Sequence, residues 1–295
     1  MSSRPYCLIG IFVALALAGQ ARASGNHPQQ LAPAIGNAAA VVHFDLYQGY
    51  FIVVHGAAGP LKKLNFFLDT GTIRSTFDSR TAKKLNLHDQ EPASIMIVGG
   101  RVQGEAASLS SLELGPLQLS NLDIVTADLS FFQRALPIHI DAIIGIDVLG
   151  QTPFVIDYSA HVIRFGTAPA LSVSVPLHLD QGLAVFDAEI NHTPMHLLFD
   201  TGASSLVLFT TAKQQGSSVK PDAALGPDAI GHFESRQVYL DSLRLGPAEF
   251  RKEPALVTPN PKPSQLNFDG LMSPAALGIS RVSVDIERKV LAFSR

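Results

Sequence analysis

The apolar positions of this chain fall in short runs rather than in long periodic faces. Residues 41–44 (VVHF), 50–54 (YFIVV) and 64–68 (LNFFL) cluster branched and aromatic residues between Gly- and Pro-bearing turns, the pattern of short β-strands. Leu112-Glu113-Leu114 and Leu243-Arg244-Leu245 alternate apolar with charged, as half-buried strands do, and both run into Gly-Pro. Val162-Ile163 and Val290-Leu291 continue the series. Only residues 78–85, with Asp78 placed to cap the N-terminus, and residues 210–215 have the composition of short helices. No stretch supplies the long crossover helix that a βαβ sheet needs. The chain reads as all-β with few short helices.

That pattern is written twice. Residues 66–72 (FFLDTGT) recur as residues 197–203 (LLFDTGA), a spacing of 131 (200 − 69). Residues 111–116 (SLELGP) recur as residues 242–247 (SLRLGP) at the same spacing. Residues 157–165 (DYSAHVIRF) match residues 285–293 (DIERKVLAF) at a spacing of 128 (285 − 157), and Asp141 and Asp269 share it. A net three-residue deletion therefore falls within the second copy. Matches in one order at nearly constant spacing define an internal duplication. The joint falls at residues 166–169 (GTAP), which gives two similar lobes over residues 41–168 and 169–295.

The first 40 residues stand outside the repeat. Arg4, the apolar stretch 8–19 and Ala21-Arg22-Ala23 have the order of a secretory signal peptide cut after Ala23, so residues 1–23 are expected to be removed. Residues 24–40 then form an N-terminal tail, and the protein is expected to be periplasmic or secreted, with no stable membrane anchor after cleavage. The single cysteine, Cys7, lies inside that leader, which leaves no disulfide framework and no cysteine-based zinc site. Charge is sparse and balanced, 22 Lys+Arg against 25 Asp+Glu, which argues against a nucleic-acid surface. At 46% hydrophobic residues the chain is not a disordered one.

Chemistry concentrates at the repeated Asp-Thr-Gly. A carboxylate that follows a run of large apolar residues is costly to bury unless it is neutralised or heavily hydrogen-bonded. A strand that delivers Asp69 or Asp200 straight out of such a run points to a carboxyl placed at a lobe's edge for use. Gly71 and Gly202 let the backbone turn sharply and approach a neighbour. Pseudo-twofold packing of the lobes would bring Asp69 and Asp200 together. Recurrence alone does not make an aspartate reactive: Asp141, Asp157, Asp269 and Asp285 also recur, and turn or strand-edge roles are expected for them. His192 and His196 are four apart, but Pro194 between them argues against a metal-binding helix face. Residues 191–193 (NHT) fit a glycosylation sequon. Neither a Gly-x-Ser-x-Gly elbow nor a Gly-rich phosphate loop is present.

Residues 67–72 (FLDTGT) and 198–203 (LFDTGA) resemble the active-site motifs of the pepsin and retropepsin superfamily of aspartic proteases. The family's second landmark, two apolar residues and a glycine, is matched by Ile143-Ile144-Gly145, with Ile146-Asp147 following in the retropepsin-like manner. The second copy departs from it, with Leu271-Met272 followed by Ser273 and Pro274. The resemblance covers about residues 41–294. It implies two retropepsin-like acid-protease lobes related by a pseudo-twofold axis, joined in one chain that acts as a monomer. It also implies an aspartic endopeptidase acting on extended peptide or protein substrates, without metal or cofactor. Asp69 and Asp200 would share one proton, as the two carboxyls of pepsin do, and activate a water between them. Thr70 and Thr201 would tie the motifs together through reciprocal hydrogen bonds. Thr72 can donate a hydroxyl to Asp69 where Ala203 offers Asp200 none, so Asp69 is expected to be the ionised base and Asp200 the proton carrier. Hairpin flaps are expected at residues 95–105, turning at Gly99-Gly100, and at residues 229–238, with Gly231-His232 near the tip. A non-catalytic peptide- or protein-binding module that retains the fold is the alternative reading.

Overall fold

Each Asp-Thr-Gly is delivered by the same arrangement of strands. In a computed structural model, which describes residues 14–17, 40–87, 91–97, 100–115, 117–134, 136–166, 168–210, 224–225, 235–259 and 267–295, the strand Leu61–Leu68 pairs antiparallel with Phe51–Ala58 and parallel with Ala142–Ile144. In the second half Thr193–Phe199 pairs antiparallel with Leu183–Ile190 and parallel with Gly270–Met272. The equivalence continues outward. Thr76–Asp78 lies antiparallel to Ala142–Ile144 and parallel to Leu117–Ala127. Leu206–Thr210 lies antiparallel to Gly270–Met272 and parallel to Glu253–Pro259. The duplication in sequence is a duplication of topology.

The unbroken apolar runs before the two aspartates have a packing reason. Phe66 and Leu68 enter the large core shared by both lobes, whereas Phe67 points the other way into a cluster with Phe51 and Phe132. Leu197 and Phe199 likewise face the shared core and Leu198 faces a third cluster with Val207 and Leu271. A strand covered on both faces cannot alternate apolar with polar. Its apolar content also fixes the end of the strand, since the first polar residue is the aspartate.

The lobes meet in a run of six strands, in the order Val173–Asp180, Val290–Ser294, Arg281–Asp285, Phe154–Asp157, Val162–Phe165 and Ala40–His43. The central pair is antiparallel, with Phe154 opposite Val284 and Asp157 opposite Arg281. Arg281 Nη2 lies 2.7 Å from Oδ2 of the buried Asp157. Phe154, Ile156, Val282 and Val284 carry the shared core through this seam.

The recurring aspartates outside the two motifs serve the backbone. Asp141 Oδ2 accepts the Asn65 N–H at 2.9 Å and Asp269 Oδ2 accepts the His196 N–H at 2.8 Å, the same contact in both lobes. Asp157 Oδ1 accepts from Ala160 N and Asp285 Oδ1 from Arg288 N, each closing a turn. Asp78 accepts the Arg80 N–H at 3.0 Å and caps the helix Ser79–Lys84. Asn191 and His192 both have positive φ and form the turn that opens Thr193–Phe199.

Three features differ from the sequence reading. Thr210 does not open a helix: it ends a strand and sits opposite Pro259, because Leu206–Thr210 is the copy-two counterpart of Thr76–Asp78; residues 211–215 lie outside the described residues. A short helix, Ile146–Leu149, follows the landmark Ile143-Ile144-Gly145, where the apolar pattern predicts none. The first hairpin, Pro92–Ile97 with Gly100–Leu114, pairs Ile97 with Gly100, so Gly100 belongs to its second strand rather than to its turn. The register that sets buried Ile95 opposite Val102 imposes that placement. Gly99, Gly231 and His232 lie outside the described residues. The strand Ala14–Leu17 pairs antiparallel with residues 94–97 of the same hairpin. Among the described residues, no helix is long and apolar enough to cross a membrane.

Candidate active site

Asp69 and Asp200 are each the first residue beyond a buried strand, and both are fully buried. Their backbones are fixed by equivalent bonds: Asp69 N donates to Ile144 O at 3.0 Å, and Asp200 N to Met272 O at 3.1 Å. The tight turn that follows points a backbone N–H at each carboxyl. Gly71 N lies 2.8 Å from Asp69 Oδ1 and Gly202 N lies 2.7 Å from Asp200 Oδ1.

Thr70 and Thr201 interlock across the axis. Thr70 N donates to Thr201 Oγ1 and Thr201 N to Thr70 Oγ1, both at 3.0 Å. Each hydroxyl then donates to a carbonyl of the opposite lobe, Thr70 to Phe199 O at 2.9 Å and Thr201 to Leu68 O at 3.0 Å. Each hydroxyl therefore accepts one hydrogen bond and gives one, which matches both hydroxyls and both N–H groups of this buried crossing.

The carboxyls lie over the opposite motif's glycine, so the structure brings Asp69 and Asp200 into one site. Their surroundings are unequal. Thr72 Oγ1 donates to Asp69 Oδ2 at 2.9 Å. Ala203 has no hydroxyl, and Asp200 Oδ2 is buried and accepts no hydrogen bond. Burial raises both carboxyls above the ordinary aspartate range. For Asp69 the rise is opposed by the Thr72 hydroxyl, a bond with Asp200 and the Gly71 N–H. For Asp200 it is increased by the Asp69 charge, and Asp200 stands well above its usual value. These unequal surroundings favour the charged form at Asp69 and the neutral form at Asp200.

Ser273 replaces the landmark glycine without opening the second lobe. In the first lobe a β carbon on Gly145 would stand 2.5 Å from Thr72 O, and Ile146 N donates to that same carbonyl at 2.8 Å. In the second lobe the position of Ile146 is Pro274, which has no N–H to draw the loop in. Ser273 is accommodated fully buried, with its hydroxyl unpaired.

The sequence reading missed Ser75 and the role of Asp147. Asp147 Oδ2 accepts the Ser75 N–H and Oδ1 the Ser75 hydroxyl, each at 2.8 Å, and Ser75 Oγ accepts the Gly145 N–H at 3.0 Å. The one signal in the chain was an aspartate set among the apolar residues of residues 143–149 (IIGIDVL).

Two β-rich lobes that each present Asp-Thr-Gly at a shared axis, with interlocked threonines beneath, define the acid-protease class. The sequence model of the aspartyl protease family matches the chain twice, over residues 53–148 and 186–280, and the chain belongs to that family as a tandem, retropepsin-like member. No curated protein matches it.

Proposed function

We propose that this protein is an exported aspartic endopeptidase that hydrolyses peptide bonds in extended polypeptides, with Asp69 and Asp200 as its catalytic pair. The observation that carries the reading is that two buried carboxyls meet over each other's glycine in unequal surroundings. One is supplied with a hydroxyl donor and the other is raised further by its partner's charge. Two like charges held this close cannot both form easily, so the pair keeps one proton at moderate pH. Asp69, ionised, takes a proton from water as its oxygen attacks the peptide carbonyl carbon. Asp200 gives its proton to the carbonyl oxygen, which forms a neutral gem-diol. Collapse of the diol breaks the C–N bond; the leaving nitrogen takes the proton from Asp69, and a diol hydroxyl returns one to Asp200. The product carbonyl is a carboxylic acid, and the pair is restored.

An extended substrate fits the strand-lined setting, where the edge of Pro92–Ile97 that pairs with Ala14–Leu17 would be open to strand addition once residues 1–23 are removed. Both halves of the pair are in one chain, which supports action as a monomer. Export is supported by the leader-like order of residues 1–23. The test is cleavage of an unbiased peptide mixture by purified mature protein across pH, with Asp69→Asn and Asp200→Asn as controls. Cleavage that survives either substitution overturns the assignment. Peptide capture without cleavage would instead support the binding-module reading. Mass analysis of the exported protein tests removal after Ala23.

A further inference from the structure

The two lobes differ in the polar residues set around the loop that follows each Asp-Thr-Gly. In the first lobe the positions are Thr72, Ser75, Gly145 and Asp147. The matched positions of the second are Ala203, Leu206, Ser273 and Ala275. A polar clamp is therefore built once, and in the second lobe Leu206 fills the place of Ser75 as a fully buried core residue.

The clamp grips the loop at both ends. At one end Ile146 N donates to Thr72 O at 2.8 Å. At the other the Asp147 carboxyl takes both the N–H and the hydroxyl of Ser75, and also accepts from Val148 N at 3.0 Å. Ser75 Oγ in turn accepts from Gly145 N. Three consecutive residues, Gly145, Ile146 and Asp147, thus hold the stretch from Thr72 to Ser75 in one conformation. Between the ends, Ile73 packs against the second lobe's cluster, where a β carbon on Gly182 would lie 3.9 Å from its Cγ2. Thr72 has its carbonyl on this clamp and its hydroxyl on Asp69.

We propose that Asp147 is a positioning residue for Asp69: through Ser75 and the loop of residues 72–75 it holds the Thr72 hydroxyl on the Asp69 carboxylate, and so assigns the base to the first lobe. The inference rests on the reading of Asp69 and Asp200 as a pair. A hydrogen bond tunes a carboxyl only as well as its donor is held, and a Thr hydroxyl on a loose loop would rotate to other acceptors. All three groups donating to Asp147 favour its ionised form, while its dense setting raises it to about 6. Arg74 is the charged group whose field reaches it. Asp69 faces Asp200, and Tyr158 lies in the field of Asp200.

The experiment is a carbon-detected NMR titration of the two dyad carboxyls in aspartate-labelled full-length mature protein. The chains compared are wild type, Asp147→Ala, Ser75→Ala, Thr72→Ala and the double variant Asp147→Ala/Thr72→Ala. Asp147→Ala and Ser75→Ala should each raise the lower of the two dyad titrations, in the direction of Thr72→Ala and by up to about one pH unit. The double variant should show no more displacement than Thr72→Ala alone. Asp147→Asn, which keeps an acceptor for Ser75 N but turns a donor toward Val148 N, should displace the titration less than Asp147→Ala. A lowered melting temperature with an unmoved dyad titration in Ser75→Ala overturns the proposal, as does full additivity in the double variant. Ser75→Ala removes only one hydroxyl, so it decides the matter if Asp147→Ala does not fold. The readout is a titration rather than turnover. A displaced titration in a protein that cleaves no peptide would leave the role of Asp147 standing and overturn the peptidase reading.

Discussion

A β carbon on Gly202 would stand 2.6 Å from Cγ of Asp69, and one on Gly71 would stand 2.7 Å from Cγ of Asp200. Each lobe's glycine is thus the floor on which the other lobe's carboxyl rests. The requirement is steric and not conformational, since neither glycine has a positive φ. Gly202→Ala and Gly71→Ala should therefore displace a carboxyl and remove activity. Overpacking a fixed site costs about 1–3 kcal/mol, so the folded protein should persist, with the loss visible in a denaturation curve. An active Gly202→Ala enzyme would show that the carboxyls do not depend on this contact.

Asp69→Asn and Asp200→Asn should each lower the cleavage rate by about 10²–10⁴-fold or more, the span supplied by positioned acid–base groups. Stability should respond in the opposite sense. Both carboxyls are raised in the folded protein, so the folded state keeps protons that the unfolded chain has released. Stability then falls as pH rises from the ordinary aspartate value, about 3.9, through the raised folded values. Asp200→Asn removes that penalty and should melt higher than wild type at pH 7.5, with little difference at pH 3.5. Thermal melts at the two pH values check the sign.

Thr72→Ala should shift the acid limb of the kcat/KM profile to higher pH. The Thr72 hydroxyl favours charged Asp69, and without it the base must reach a higher pH to ionise. A hydrogen bond to a charged group is worth about 1.5–3 kcal/mol and a pKa unit about 1.4, so the displacement should be on the order of one unit. Thr72→Ser keeps the donor and should leave the limb in place. Ala203→Thr should move the limb toward acid. An unmoved limb in active Thr72→Ala enzyme would reduce Thr72 to a packing residue.

Thr70→Val and Thr201→Val keep the shape of the interlocked pair and remove its hydroxyls. Each strands one N–H and one carbonyl of the opposite lobe in a buried place, at about 1–3 kcal/mol for each unsatisfied group. A loss of about 2–6 kcal/mol in urea unfolding is expected. The two hydroxyls bond different groups within one crossing, so the double variant should depart from simple additivity only by their coupling.

Specific activity should stay constant on dilution, since the pair forms within one chain. A steep loss accompanied by a dimer in sedimentation would place the active pair between two molecules.

Much of this was open to reading from the chain. The repeat exposed the two lobes because FFLDTGT and LLFDTGA obey the same packing demand, a strand buried on both faces that ends at its first polar residue. The cap at Asp78 was visible for a local reason, as its side chain bonds two residues ahead. Features set by distant partners were not. The hairpin register depends on which residue faces Ile95 across the turn, and a glycine pair read as that turn misplaces Gly100. The hold of Asp147 on Ser75 joins residues 72 apart and exists in one lobe only, so no repeat advertised it. Thr210 reads as helical with the polar residues that follow it, while its strand partner, Pro259, lies far along the chain.

The seam between Phe154–Asp157 and Arg281–Asp285 is formed within one polypeptide. When two identical subunits meet on a true axis, every residue near that axis occurs twice, and any change is imposed on both sides at once. Such a pair can break its likeness only transiently, by where a proton happens to sit. Here the halves are encoded separately. A threonine can face one carboxyl and an alanine the other, a glycine can stand in one lobe and a serine in its twin, and the inequality becomes permanent. Joining the lobes converts a fluctuating choice of base into an inherited one.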